Sequence, residues 1–258
     1  ISFTSMMLVM IYVKNSIYLS GNILMMSKRH LFSFLLLFIL SIESSFGQTS
    51  VQKCVLEKFT GSWVGYEPDA SVILEDLLQT YPNAIPICIH DNDAMVITEG
   101  NYINSFYSPT YPSAIMNRLD ASVPRNQWAT SVSTVLSGLS SATVQFDSVW
   151  YNTTTRQLDI DLRVTFTGNE SGMLRFNCIV VEDSVTGTGS GYAQTNYDNS
   201  TAGHPYFGAG NPIVNYVHRH VARSYLGGAF GTSGIIPSTV TISSTFEYHY
   251  TYTIPVDF

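Results

Sequence analysis

Val51–Pro68, VQKCVLEKFTGSWVGYEP, decides the fold. Its first half, Val51 to Phe59, reads as a buried strand, since the run is mostly apolar and nothing breaks it. Thr60-Gly61-Ser62 is a turn, and Pro68 stands where a helix favours its first residue. Beyond it Val72, Ile73, Leu77, Leu78 and Tyr81 recur at helical spacing, with Glu75, Asp76 and Gln79 facing away. Pro82-Asn83 stops that helix, and Ile85–His90 (IPICIH) is a second short apolar run. Strand, helix and strand make a βαβ unit, which sets the two strands parallel in one sheet.

Residues 91–107 have mixed character and end at a turn cluster, Ser108-Pro109-Thr110-Tyr111-Pro112. Ser113–Arg118 reads as a third strand. Asn126–Leu139 reads as a helix with Trp128, Val132, Val135 and Leu139 on one stripe. The pattern then changes. Leu158, Ile160, Leu162, Val164 and Phe166 alternate with Asp159, Asp161, Arg163 and Thr165, the period of a half-buried strand. Residues 142–151, 173–183, 214–223 and 239–254 are also strand-like, and a loop rich in Gly, Ser, Asn and Tyr covers 184–212. The expectation is an α+β chain: an α/β domain over 48–140, then an antiparallel β-sandwich (Ig-like) domain over 141–258, with the boundary between Leu139 and Ala142. A full sandwich of this kind has about seven strands. Fewer are read here, so the second domain is expected to be incomplete.

The first 47 residues describe export. Ser27–His30 is a short basic stretch, Leu31–Ile42 (LFSFLLLFILSI) is unbroken and apolar, and Ser45-Phe46-Gly47 carries small residues where a signal peptidase reads. The apolar run falls well short of the roughly 20 residues of a spanning helix, so 25–47 is read as a signal peptide and the mature chain as having no transmembrane span. Residues 1–24 show neither periodicity nor caps and are read as a non-native leader. The net charge is −7, and Lys14, Lys28 and Arg29 all precede Gln48, so the mature part is more acidic still. That balance excludes nucleic acid as a partner. Location is exported: outer membrane, cell surface or periplasm.

Trp63, Val64, Gly65, Tyr66, Glu67 and Pro68 follow the first strand and open the helix. Thioredoxin-like proteins have W-C-x-x-C-P at that place, and this stretch resembles it with Val64 and Glu67 in the two cysteine positions. Tyr111-Pro112-Ser113 resembles the cis-proline segment that faces the redox site in that fold. More specifically, the chain resembles the outer-membrane-protein-28-related family of Bacteroidetes-type bacteria. The likeness lies in Leu56, Glu57, Phe59, Thr60, Gly61 and Trp63, in Pro112, Ser113, Asn117 and Arg118, in Gly191, Tyr192, Gln194 and Asn196, and in Val221, Arg223, Gly227 and Gly228. The resemblance implies an envelope or cell-surface protein with a thioredoxin-like domain and a β-sandwich, with no well-established activity; no cofactor is expected.

Disulfide exchange needs a thiolate and a resolving thiol at a helix N-terminus. Val64 does not ionise, and Glu67 is no nucleophile toward a disulfide, so the expectation is a protein that is not an enzyme. Glu67 is expected to satisfy the helix end with its carboxylate. Trp63, Tyr66, Tyr111 and Pro112 are expected to wall a groove for a peptide, a glycan or another cell-envelope component. Restoring both thiols at 64 and 67 is then expected to create reductase activity. The alternative is an oxidoreductase working through Cys54 and Cys88, whose strands the βαβ crossover makes neighbours; either a Cys54–Cys88 disulfide or two buried free thiols fits. Metal ligation has only weak candidates. Asp91 and Asp93 lack the rest of a calcium loop, and His218 and His220, alternating on a strand, lack a third ligand for zinc. His90 beside Asp91 and Asp93 has the form of a base with an orienter, but no nucleophile elbow accompanies it.

Overall fold

A computed structural model describes residues 9–12 and 51–256. The signal peptide expected over 25–47 lies outside the described residues. Of the expected leader, only Val9–Tyr12 are described, and they form β1. The remaining elements are β2 (Cys54–Thr60), α1 (Glu67–Thr80), β3 (Ala84–His90), α2 (Thr98–Tyr107), β4 (Ser113–Met116), β5 (Val123–Pro124), α3 (Trp128–Leu136), β6 (Ala142–Asn152), β7 (Gln157–Phe166), β8 (Glu170–Ser171), β9 (Cys178–Glu182), β10 (Val221–Tyr225), β11 (Thr239–Val240) and β12 (Thr245–Thr253). No helix among the described residues is long and apolar enough to cross a membrane.

The main sheet is seven-stranded and mixed, ordered β1-β9-β10-β3-β2-β4-β5. β2 and β3 are parallel, and β4 runs antiparallel to β2. Every residue of β2 is buried because both faces of the sheet are covered. On one face Cys54 and Leu56 meet Ala70, Leu74 and Leu77 of α1 and Trp128 and Val132 of α3. On the other, Val55 and Phe59 meet Ile103 of α2, with Ile179, Val181 and Tyr225. α2 is absent from the sequence reading for a physical reason. TEGNYINSFY offers only Ile103 as a strongly apolar buried side chain, and the helix approaches the sheet through Gly100, where a Cβ would sit 3.2 Å from Ile89.

β12, β7 and β6 form a separate antiparallel sheet. β7 keeps the period-two pattern read from its sequence, with Leu158, Ile160, Leu162, Val164 and Phe166 buried in one core. In place of the two-sheet β-sandwich expected over 141–258, that core is closed by the irregular segments bearing Leu174, Phe176 and Ile236, by Val240 of β11, and by Cys178. The expected boundary at 140/141 is corrected too, because β9 and β10 return to the main sheet. The cause is the run Cys178–Val181, which is buried without alternation. Its side chains serve both cores, Cys178 packing under the three-stranded sheet and Ile179 and Val181 in the main one.

Candidate functional site

The loop between β2 and α1 holds the positions of interest. Val64 N–H donates to the Gly61 carbonyl at 3.0 Å, closing a tight turn. Gly61 admits no side chain, since a Cβ would lie 2.6 Å from Trp63 Nε1 and 2.7 Å from the Asp91 carbonyl oxygen. Trp63 Nε1 donates to that same carbonyl at 2.8 Å, which leaves the indole exposed and fixes its plane. Val64 is only 4% exposed. Its carbonyl accepts from Glu67 N–H at 3.1 Å and from Gln194 Nε2 at 2.8 Å.

The long loop supplies the cover. Thr195 N–H donates to the Ser62 carbonyl at 2.8 Å, Tyr197 N–H to the Gly65 carbonyl at 2.9 Å, and Ser62 Oγ to the Ser190 carbonyl at 3.3 Å. A Cβ on Gly65 would strike the Tyr197 ring at 2.5 Å. Residues 190–197 are therefore laid along the 61–66 loop as a strap.

Glu67 corrects the expectation of a carboxylate satisfying the helix end from the surface. It is buried, and Lys58 Nζ lies 2.5 Å from its Oε1. Thr60 Oγ1 donates to Oε2 at 2.5 Å and Ser71 Oγ to Oε1 at 2.8 Å. Burial alone would raise the Glu67 carboxyl, but the Lys58 ammonium and these two hydroxyl donors hold it below the usual carboxylate range. Burial likewise works against the Lys58 ammonium, and Cys88 and Glu67 beside it push its pKa up. The helix end itself carries no side-chain cap: Tyr66 N-caps α1 without a side-chain hydrogen bond.

Of the two readings of Cys54 and Cys88, the structure has the buried free thiols and not the disulfide. Cys54 stands opposite Ala84, and Cys88 opposite Lys58, four positions along the ladder. At about 3.3 Å per residue that is roughly 13 Å, far beyond the Cα separation of a disulfide. All three cysteines are free and buried. Burial pushes Cys54 and Cys178 up to about 12 and Cys88 to about 11, so none supplies a thiolate near neutral pH. In the native protein a water-soluble thiol reagent should label none of them on the time scale that it labels free thiol. All three should react after unfolding without reductant. Fewer than three reactive thiols in denaturant would reveal a bridge.

The remaining candidates separate. His90 Nδ1 lies 2.6 Å from Asp93 Oδ2, and Asp93 also accepts from Ser62 N–H and Met95 N–H at 2.8 Å each. This pair is closed to solvent, with side chains 2% and 0% exposed. His218 packs its ring 5.4 Å from that of His90 and bonds the Tyr192 carbonyl through Nε2 at 2.9 Å. Burial pulls His218 down to about 4, so it is a neutral imidazole at neutral pH. His218 and His220 do not share a strand face. β10 begins at Val221, and His220, at φ 56°, turns instead to Glu75 and Asp183. Asp91 contributes backbone atoms here, its N–H to Thr60 and its carbonyl to Trp63. Among the described residues no group of three or more His, Cys, Asp or Glu is placed to hold a metal ion.

The expected aromatic groove is split. Trp63 and Tyr111 meet edge-on at 5.2 Å beside the cis Tyr111-Pro112 bond. Tyr66 is drawn away, against Tyr197 at 5.3 Å and beneath the Arg125 guanidinium at 4.6 Å.

Residues 99–258 match the model of the outer membrane protein Omp28 family. The chain belongs to that family. With no membrane-crossing helix described, family membership agrees with export to the envelope. The structure also resembles HBP35 of Porphyromonas gingivalis, with a TM-score of 0.53 and 14% identity over 80% of this chain. That likeness concerns the fold alone, and the chain spans 65% of that structure's chain. No curated protein matches in sequence. The residues that carry the Omp28-family likeness in this chain hold the fold together. Asn117 Oδ1 accepts from Val55 N–H at 2.6 Å and extends the β2–β4 ladder. Arg118 pairs with Glu57 on the face of β2 opposite Lys58. Gln194 seals the Val64 carbonyl, Asn196 Nδ2 donates to the Tyr206 and Gly210 carbonyls at 3.0 Å each, and Arg223 pairs with Glu182 at 2.6 Å.

Lys58 and Ser71 were not singled out from the sequence, and Thr60 and Gln194 entered it only through a turn and the family likeness. A signal for the first existed: adjacent charges, Glu57 and Lys58, inside an otherwise apolar strand must point to opposite faces and find a partner on each.

Proposed function

We propose that this Omp28-family chain is a non-catalytic, envelope-associated protein, with a thioredoxin-like arrangement over 48–140 whose former redox corner serves as a structural junction. The observation that carries the reading is the sealing of that corner. The nucleophile position is a buried Val64 under Gln194, and the resolving position is a Glu67 committed to Lys58. The order β2-α1-β3, with β4 entering after Tyr111-Pro112, supports the thioredoxin-like assignment. Trp63 and Tyr111 are the aromatic surface left for an extended peptide or a glycan of the envelope.

The test is a disulfide reductase assay on purified protein with dithiothreitol as electron donor. The expected rate equals that of dithiothreitol alone. A rate well above it would overturn the reading. Val64→Cys with Glu67→Cys should also stay inactive, in contrast to what the sequence implies. The strap covers residue 64, and removing Glu67 strands the Lys58 charge.

A further inference from the structure

The strap over the 61–66 loop is held from beneath by a buried histidine. His218 is 3% exposed. Its backbone is fixed by two hydrogen bonds with Val185, N–H to carbonyl in each direction at 2.9 Å. Its ring reaches Tyr192 of the strap, where Nε2 donates to the carbonyl at 2.9 Å. A ring nitrogen bonded to a carbonyl must carry the hydrogen, so in the neutral ring Nδ1 is the nitrogen left to take up a proton. The strap is seated closely here. The Tyr192 side chain packs with Met95, Val185 and Val221, and the Gly191 carbonyl accepts from Ala94 N–H at 3.3 Å. Gly191 admits no side chain, since a Cβ would lie 2.9 Å from that of Ala94.

The carboxylates that face this ring are already committed. Asp93, in the turn after β3, holds His90 and two backbone N–H groups. Glu67, from α1, is paired with Lys58. The His90 ring meets that of His218 edge-on at 5.4 Å, and Tyr216 of its own segment meets it at 4.8 Å. Burial opposes the imidazolium and so does His90, while the Tyr192 carbonyl, Glu67 and Asp93 favour it. Burial outweighs them and holds the ring down at about 4, against an ordinary 6.5. We propose that His218 is an acid-operated latch: uptake of one proton by its ring releases the strap from the 61–66 loop and uncovers Val64. The sign follows from linkage. A released strap leaves the ring in water with its ordinary affinity for protons. Between about 6.5 and 4 the open form therefore binds a proton that the closed form does not. Falling pH favours opening across that window, towards a limit of about tenfold per unit, and no further once the closed form also titrates. The latch requires only the strap's geometry and holds whether or not the corner is catalytic.

Hydrogen exchange of the processed, exported protein tests this. The Thr195 and Tyr197 N–H groups donate to the Ser62 and Gly65 carbonyls, so they report strap closure once the pH dependence of intrinsic exchange is divided out. Their protection should fall roughly fifteenfold between pH 6.5 and pH 5, with the amides of β2 and β3 unchanged. That range lies above the titration of Glu67 and Asp93, both held below their ordinary values. His218→Gln keeps a donor for the Tyr192 carbonyl but takes up no proton, and its strap protection should be independent of pH over the same range. Should that variant fail to fold, the His218 ring resonance of the parent decides instead: it should shift with pH in step with the loss of protection. Three results would each overturn the proposal. They are strap protection that does not change with pH in the parent, an equal fall in His218→Gln, and a His218 ring that titrates while the strap stays protected.

Discussion

Arg118→Ala should remove about 3–5 kcal/mol of stability, the scale on which a buried pair is broken from one side. Arg118 reaches Glu57 with both Nε and Nη2, and its Nη1 donates to the Ala229 carbonyl at 2.7 Å. Tyr225 donates its hydroxyl to Glu57 Oε1 at 3.1 Å. The guanidinium also lies 5.8 Å from the Tyr225 ring centre and 5.7 Å from that of Phe230. Truncation leaves Glu57 charged in the middle of a sheet with only a tyrosine hydroxyl to answer it. A domain holds roughly 5–15 kcal/mol in total, so the variant should sit near the edge of folding. Urea unfolding followed by tryptophan emission measures it. A loss under about 1 kcal/mol would show that the pair contributes little. The double variant Glu57→Leu with Arg118→Met should recover most of the loss, since an apolar replacement of both partners leaves no unpaired charge.

Glu67→Ala should be comparably costly, about 3–5 kcal/mol, because Lys58 is then left charged beneath α1 with Ser71 as its remaining oxygen partner. The pH dependence has a definite sign. The folded Glu67 carboxyl lies below its ordinary value of 4.5, so its contribution is fully present above that value and is lost as pH falls below it. The folded Lys58 ammonium lies above its ordinary 10.5, so its contribution persists through neutral pH and fades only in strong alkali. Urea midpoints taken from pH 3 to pH 8 should therefore decline on the acid side in the parent. The decline should be shallower in Lys58→Met with Glu67→Leu, which has neither group. An acid limb of equal slope in both would assign the acid sensitivity elsewhere.

The parts of the fold legible in the sequence were those where one periodicity governs a whole element. α1 begins within a residue of the expected Pro68 start, because proline and an apolar stripe agree there. β7 was legible because one face is wet and the other dry. β9 could be recognised as a strand but not assigned to a sheet: a run buried on both sides carries no directional pattern, and its partners lie far along the chain. The turn that leads from β2 into α1 was located from Trp63 and Pro68, with Val64 and Glu67 at its close. What filled the corner was not legible. Lys58 and Ser71 come from other elements, and Gln194 from a loop whose composition says only that it turns. Nothing local marks Glu67 as buried, since a glutamate in the first turn of a helix is ordinarily at the surface.

β10 has a consequence for how this chain acquires its fold. It lies beside β3 in the sheet, with Val221 opposite Cys88, although most of the chain separates them in sequence. During synthesis or translocation the β2-α1-β3 segment emerges first and must wait, with one side of β3 open, until Val221–Tyr225 follows. Pairings of such long range form slowly, because loop closure must be met before any contact repays it. Native assembly is thus a late, concerted event in which both sheets lock together through β9.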